Sequence, residues 1–291
     1  MKNTRSQILI ASALECVLVV VTAHAQTVAT PTANKPSGTI TPTVTTSSAA
    51  RPAHWGYEGQ HGPTKWGALD PAYAACDKGQ AQSPIDISKT GASTANPWKL
   101  NYRPTSLNVA HHDYDVDIVD NGHTIQVTVE EGSTITTSRN TYQLKQFHFH
   151  TPSEHTVDEK SFPMEVHFVH QSADKNFAVV SALFSEGPAN ENLAKLIANF
   201  PKAKGESLRL PEVKLDLVLQ LPANTAAYTY MGSFTTPPCT ENVEWLVFRD
   251  PVMASREQLD AFAARLKPNN RPVQPLNGRS IATGSTAGVR R

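Results

Sequence analysis

The stretch Gln146-Phe147-His148-Phe149-His150 alternates polar and aromatic side chains, and Glu165-Val166-His167-Phe168-Val169-His170 repeats the device downstream. A period of two belongs to a β-strand, whose successive side chains face opposite sides of the sheet. It puts Gln146, His148 and His150 on one face and both phenylalanines on the other. In the second stretch Glu165, His167 and Val169 share a face, opposite Val166, Phe168 and His170. Two imidazoles on the first strand therefore point at the same spot, and His167 on the second can complete a set of three.

Three neutral imidazoles suit Zn²⁺ and leave its fourth tetrahedral position open to water, the arrangement of a catalytic rather than a structural zinc site. Histidine ligands usually give their other ring N–H to a carboxylate, an amide or a carbonyl, and Gln146 and Glu165 lie one step along the strands on the ligand faces. They are the candidate supporting residues. His155 and His170 lack this matched setting and read as hydrogen-bonded core residues, and His111-His112 as exposed loop histidines.

Working outward, Tyr114 to Val119, Thr124 to Glu130, Tyr142 to His150, Met164 to His170, Ala178 to Phe184 and Val243 to Phe248 alternate or are rich in β-branched and aromatic residues, which predicts strands. Asn121-Gly122 tolerates positive φ and predicts a tight turn between the first two. Helical periodicity occurs in Glu191 to Phe200, with Leu193, Leu196, Ile197 and Phe200 on one face, and in Arg256 to Leu266, with Leu259, Phe262, Ala263 and Leu266. The reading is a mainly β, single catalytic domain over residues 52–291. The 21 prolines fit a loop-rich sheet protein better than a helical bundle.

Residues 1–25 carry Lys2 and Arg5, an apolar run from Ile8 to Val21 and then Ala23-His24-Ala25, the pattern of a cleaved export signal. The run is too short to span a bilayer. Residues 26–51 are Thr, Pro, Ala and Ser with almost nothing to form a core, and are expected to be a disordered linker. The chain should therefore be periplasmic or secreted, with no membrane contact after signal removal. Lys+Arg and Asp+Glu are both 26, so no charge imbalance calls for nucleic acid as partner. Cys16 leaves with the signal, and Cys76 and Cys239 remain. In an oxidising compartment this even number suits one disulfide closing a very long loop; two buried free thiols are the alternative.

At the histidine strands the chain resembles the α-class carbonic anhydrases, whose Gln-Phe-His-x-His strand, Ser-Glu-His turn and Glu-x-His strand stand here as Gln146 to His150, Ser153-Glu154-His155 and Glu165-Val166-His167. Trp55-Gly56-Tyr57, Gln82-Ser83-Pro84-Ile85-Asp86, Asn121-Gly122-His123, Ser233 to Cys239 and Asn269 to Leu276 follow in the family's order. The resemblance implies a central, mostly antiparallel twisted sheet with a few short peripheral helices and zinc at the floor of a conical cavity. It implies reversible hydration of carbon dioxide to bicarbonate by attack of zinc hydroxide, with His148, His150 and His167 as ligands. Thr235 and Glu154 would orient the nucleophile, since an ionised carboxylate accepts the one hydroxyl proton and leaves the threonine oxygen to accept in turn.

His123 aligns with the proton-shuttle position, where a turn should leave it wet and an imidazole has a suitable pKa. Tyr57, Asn121 and Gln126 align with residues that hold relay waters, Gln126 standing where asparagine is common. Thr236, Val169, Val179, Phe234, Val243 and Trp245 align with the substrate pocket; Phe234 departs from the frequent leucine and should narrow it. Cys76–Cys239 matches the bridge of exported members and would fix the loop bearing Thr235. A homodimer is compatible with the resemblance, although no stretch marks an interface.

Two other readings compete. His148-Phe149-His150, Glu154 and His167 also reproduce a cupin metal pattern, with Glu154 as a direct iron or manganese ligand, but this leaves Gln82 to Asp86 and Thr235 to Cys239 unexplained. The same fold can instead serve as a non-catalytic binding module, against which the presence of all three histidines, Thr235 and Glu154 argues.

Overall fold

The computed structural model describes residues 53–88, 97–103, 105–106, 117–120, 123–209 and 213–287. The proposed export signal and linker lie outside the described residues, as do His111, His112, Asn121 and Gly122. Everything described falls in one compact unit, Ala50–Arg291.

The first strands are Asp86–Ile87 (β1), Trp98–Asn101 (β2), Thr105–Ser106 (β3), Asp117–Asp120 (β4), Ile125–Thr128 (β5), Thr134–Thr136 (β6), Thr141–His150 (β7) and Thr156–Val157 (β8). Met164–Ser172 (β9), Phe177–Glu186 (β10), Ser207–Arg209 (β11), Lys214–Leu215 (β12), Ala226–Ser233 (β13), Glu241–Phe248 (β14), Val252–Ala254 (β15) and Ala282–Ala287 (β16) complete them. The α-helices are short: Trp66–Leu69 (α1), Ala75–Lys78 (α2), Glu191–Ala198 (α3) and Arg256–Leu266 (α4). None is long and apolar enough to cross a membrane.

Twelve strands form one sheet. Most pairings are antiparallel; β10 with β14, β10 with β15 and β16 with β2 are parallel. Pairing runs from β7 through β6, β2, β16, β13, β14 and β10, and β9 joins β10 back to β7, so the sheet closes on itself. The mainly β expectation stands, and the closure adds to it. The long strand β13 carries Gly232 next to a register shift, and a Cβ there would sit 2.1 Å from Ser83 Oγ, so only glycine fits this close approach.

Both faces of β9 are buried. One packs Val166 and Phe168 with Phe147, Phe149, Val180 and Phe184 in the main core, over which α3 and α4 lay Leu193, Leu196, Leu259 and Phe262. Ala263, expected on that apolar face, is exposed. The other face carries Val169 into a second cluster with Val179, Tyr230, Val243 and Trp245. Helix α4 starts with a capping box between Ser255 and Gln258, and Asn190 caps α3 by accepting from the backbone N–H groups of Asn192 and Leu193.

His170 is fully buried, stacked on Tyr102 with a 3.0 Å contact between its Nε2 and the phenol oxygen. Burial pushes its pKa down from 6.5 to about 3. The unfolded chain takes up this proton near pH 6.5 and the folded chain only near pH 3, so stability from this residue is intact above 6.5 and falls as pH drops through that window. The full loss is on the order of 5 kcal/mol. The urea midpoint should therefore decline on acidification, and more shallowly in His170→Gln; equal slopes would refute the assignment.

Candidate metal centre

The register places His148 of β7 directly opposite His167 of β9, with Gln146 opposite Val169 and His150 opposite Glu165. The three imidazoles sit with ring centroids 4.6 to 5.4 Å apart. One nitrogen from each lies within 4.8 Å of the others.

The second nitrogen of every ring is held by a fixed partner. His148 Nδ1 is 2.8 Å from Gln146 Oε1, His150 Nδ1 is 2.8 Å from the Asn269 carbonyl, and His167 Nε2 is 2.8 Å from Glu165 Oε1. Each partner is an acceptor, so each ring donates there and presents the other nitrogen as a lone pair. His148 and His150 are thus left to face the centre with Nε2, and His167 with Nδ1. His150 Nε2 is buried with no hydrogen-bond partner among the described residues. An orphan of this kind costs free energy unless something binds it. Burial holds the pKa values of His148 and His167 down and takes His150 to about 4, so all three are neutral near pH 7, as metal ligands must be. The donor set therefore fits Zn²⁺ with an open fourth position.

Glu165 does more than orient one histidine. It accepts from the backbone N–H groups of Glu154 and His155 at 2.8 and 2.9 Å, from Ser181 Oγ, and from His155 Nδ1 at 2.7 Å as well as from His167. Burial works to raise its pKa, but His155 and His167 beside it hold the carboxyl well below the usual range. His155, Glu165 and His167 also form a compact donor cluster, yet these contacts commit them to one another rather than to an ion. His155 Nε2 continues the chain to Tyr230 OH at 2.7 Å, and that hydroxyl meets Ser83 Oγ at 2.8 Å. Both His155 and His170 are thus hydrogen-bonded core residues.

Glu154 is buried and accepts from the Arg271 backbone N–H at 2.8 Å through Oε1. Burial raises its pKa to about 7, opposed by His167, Arg271 and the Thr235 hydroxyl. Its Oε2 has no partner of good hydrogen-bond geometry, so Thr235 stands beside it without a well-formed bond. A dication on the histidines would pull this pKa back down.

A cavity of about 480 Å³ opens over the histidines, lined by His148, His167 and Thr235 on one part and by Val169, Val179, Phe234 and Trp245 on another. Thr236 also lines it, and Phe234 packs edge-on against Phe177 at 4.8 Å. Val243 is buried in the same apolar cluster as Val169, Val179 and Trp245 and does not line the cavity. Gln126 lies opposite His148 in the β5–β7 register and is half-buried.

His123 departs from expectation. It is half-buried and stacked on Trp55 with centroids 3.8 Å apart, beside Tyr57 at 6.3 Å. The aromatic opening of the domain, Trp55 to Tyr57, supplies this platform. Burial and the Glu154 charge raise the pKa of Tyr57, which keeps its proton at neutral pH.

The sequence reading missed three residues. Asn269 accepts from His150 through its carbonyl and from the Thr151 N–H through its side chain at 2.8 Å, and donates to the carbonyls of His123 and Phe149. Arg271 is buried and donates to Gln82 Oε1 and to the carbonyls of Ser83 and Cys76. Both stood in the Asn269 to Leu276 motif, but a backbone acceptor leaves no mark in residue type. Lys145, on the cavity wall, is the third.

Cys76 and Cys239 form a disulfide across 163 residues. Gln82 Nε2 donates to the Cys239 carbonyl at 3.0 Å and Arg271 to that of Cys76, so the bridge and these side chains pin the segment following Thr235 to α2. Cys76→Ser with Cys239→Ser should lower stability by about 2–5 kcal/mol, the usual range for removing a native disulfide. Thermal unfolding with and without reductant measures this, and an unchanged midpoint would deny the bridge.

The eukaryotic-type carbonic anhydrase family matches residues 61–285. A carbonic anhydrase of Pectobacterium atrosepticum is 41% identical over 238 residues, 81% of this chain and 93% of that protein. The solved α-carbonic anhydrase of Thermovibrio ammonificans, in complex with sulfanilamide, shares 42% identity at a TM-score of 0.72, covering 79% of this chain and 99% of that one. Dioscorin DB3S of Dioscorea polystachya is 35% identical over 231 residues, 76% of this chain and 82% of that protein. The cupin reading falls with these matches, which span the motifs it left unexplained. By sequence over most of its length and by fold, the chain belongs to the eukaryotic-type carbonic anhydrase family.

Proposed function

We propose that the protein is an exported zinc enzyme that interconverts carbon dioxide and bicarbonate. Family membership alone does not carry this, since relatives that are not named for the activity, such as the dioscorin at 35% identity, share the family with the carbonic anhydrases. The observation that carries it is the triad of half-buried His148 with buried His150 and His167, every outer nitrogen engaged and His150 Nε2 left without a partner among the described residues.

Zinc held there supplies Lewis acidity that makes a water nucleophilic near neutral pH; the value of about 7 for such a water is the general one for carbonic anhydrases, taken over unchanged. The chain's own residues do the rest. Gln146, the Asn269 carbonyl and Glu165 fix the tautomer and direction of each ligand. Thr235, with Glu154 behind it, accepts from the nucleophile and aims it. Val169, Val179, Phe234 and Trp245 offer an apolar wall, backed by Val243, that suits a small apolar substrate, and Thr236 borders the same space. Tyr57, Asn121 and Gln126 hold water, and His123 carries protons to solvent. Export rests on the pattern of residues 1–25, and the disulfide suits that compartment.

Stopped-flow hydration of carbon dioxide, on protein lacking residues 1–25, tests the reading. Fast hydration should vanish in His148→Ala and after chelation, and return with zinc to the stripped wild type. No hydration by folded, zinc-loaded wild type would overturn it and leave a binding module.

A further inference from the structure

Strand β7 carries one residue more than its neighbour can match. Tyr142, Leu144, Phe147 and Phe149 are all buried in the main core, at spacings of two, three and two. The register with β9 jumps from Leu144–His170 to Gln146–Val169, which leaves Lys145 as the added residue of a bulge. Bulges re-aim side chains and recur beside active sites. Here the result is that Lys145 and Gln146, adjacent in sequence, both line the cavity over the histidines.

Among the described residues lining that cavity Lys145 is the one Lys, Arg, Asp or Glu, the others being imidazole, neutral polar and apolar side chains. Its Nζ stands 3.6 Å from Glu131 Oε1, and the two side chains are 43% and 73% exposed. A pair so exposed is weak and screened, so it does not cancel the ammonium charge at the cavity. A single charge on a low-dielectric wall focuses the field inside a cleft and raises the local concentration of counter-ions.

We propose that Lys145 determines specificity for anions: its ammonium draws small monoanions of the bicarbonate class into the cavity and tightens their hold, while neutral carbon dioxide gains nothing from it. This rests on the metal-centre reading above, since the centre is the anion's destination. The bulge is what makes it possible, because strict alternation would turn residue 145 away from Gln146 and toward the core.

The test uses the full domain loaded with cobalt in place of zinc and titrated with thiocyanate, the visible spectrum reporting anion binding at a pH where the metal carries water. Lys145→Gln should weaken thiocyanate about threefold at low salt and Lys145→Glu about tenfold. Lys145→Arg should restore the wild-type value, Glu131→Gln should tighten it, and added inert salt should erase the differences. If the wild type responds and Lys145→Gln and Lys145→Glu match it, the lysine has no such role and this proposal falls alone. If the wild-type cobalt protein shows no response, no open position exists and both readings fall.

Discussion

His150→Ala is expected to hold no stoichiometric zinc after dialysis and to lose carbon dioxide hydration by about 10³-fold or more. A bound metal provides several kcal/mol of transition-state stabilisation, and about 4 kcal/mol corresponds to that factor. His150 is the sharpest choice because its Nε2 is buried without a partner, whereas its Nδ1 is committed to Asn269. The variant should fold, since removing the ring also removes the orphaned nitrogen; the Asn269 carbonyl loses its ring donor. Metal analysis and hydration rate check the two halves separately. Full zinc content with hydration lost would move the role of His150 from ligand to another part of the site.

Glu165→Gln is expected to cost about 3–5 kcal/mol in the metal-free protein, the range for breaking a buried charged network. The carboxylate accepts from two backbone N–H groups, from Ser181, and from His155 and His167. An amide must turn its NH₂ toward one set of these donors, leaving donor against donor. Because the folded pKa lies well below 4.5, the stabilisation is present above about pH 4.5 and disappears as pH falls through the folded value. The gap between wild type and variant should therefore narrow in acid. Zinc affinity should drop a further 10–100-fold, as for other losses of a ligand's hydrogen-bond partner. Denaturant unfolding across pH measures the first effect and competition with a chelator the second; a gap unchanged in acid would contradict the ionised state.

The ligand strands were legible because both faces of β7 and β9 obey a period of two near the centre, so the ligand imidazoles His148, His150 and His167 fall opposite Phe147, Phe149 and Phe168. The same stretch hid the bulge. Tyr142, Leu144, Phe147 and Phe149 carry an extra residue between the second and third, a signal present in the sequence but read only as far back as Gln146. Helix α4 matched its expected bounds because Ser255 and Gln258 cap it and Leu259 and Phe262 recur at helical spacing. Strand β13, which joins β14 to β16, went unpredicted: Ala226 to Ser233 alternates weakly and carries Gly232 as its last residue but one, whose role is a close approach rather than a propensity. His123 was placed by its turn, and its stacking on Trp55 depends on a partner far away in sequence. Likewise, nothing in the type of residue 269 announces that its backbone carbonyl orients a ligand.

The most direct measurement is X-ray absorption at the zinc edge of the loaded protein. The account predicts three imidazole nitrogens at about 2.0–2.1 Å and one further light atom, with imidazole scattering reduced in His167→Ala. A shell containing a carboxylate in place of a third imidazole, or six oxygen neighbours, would place the metal elsewhere and contradict it.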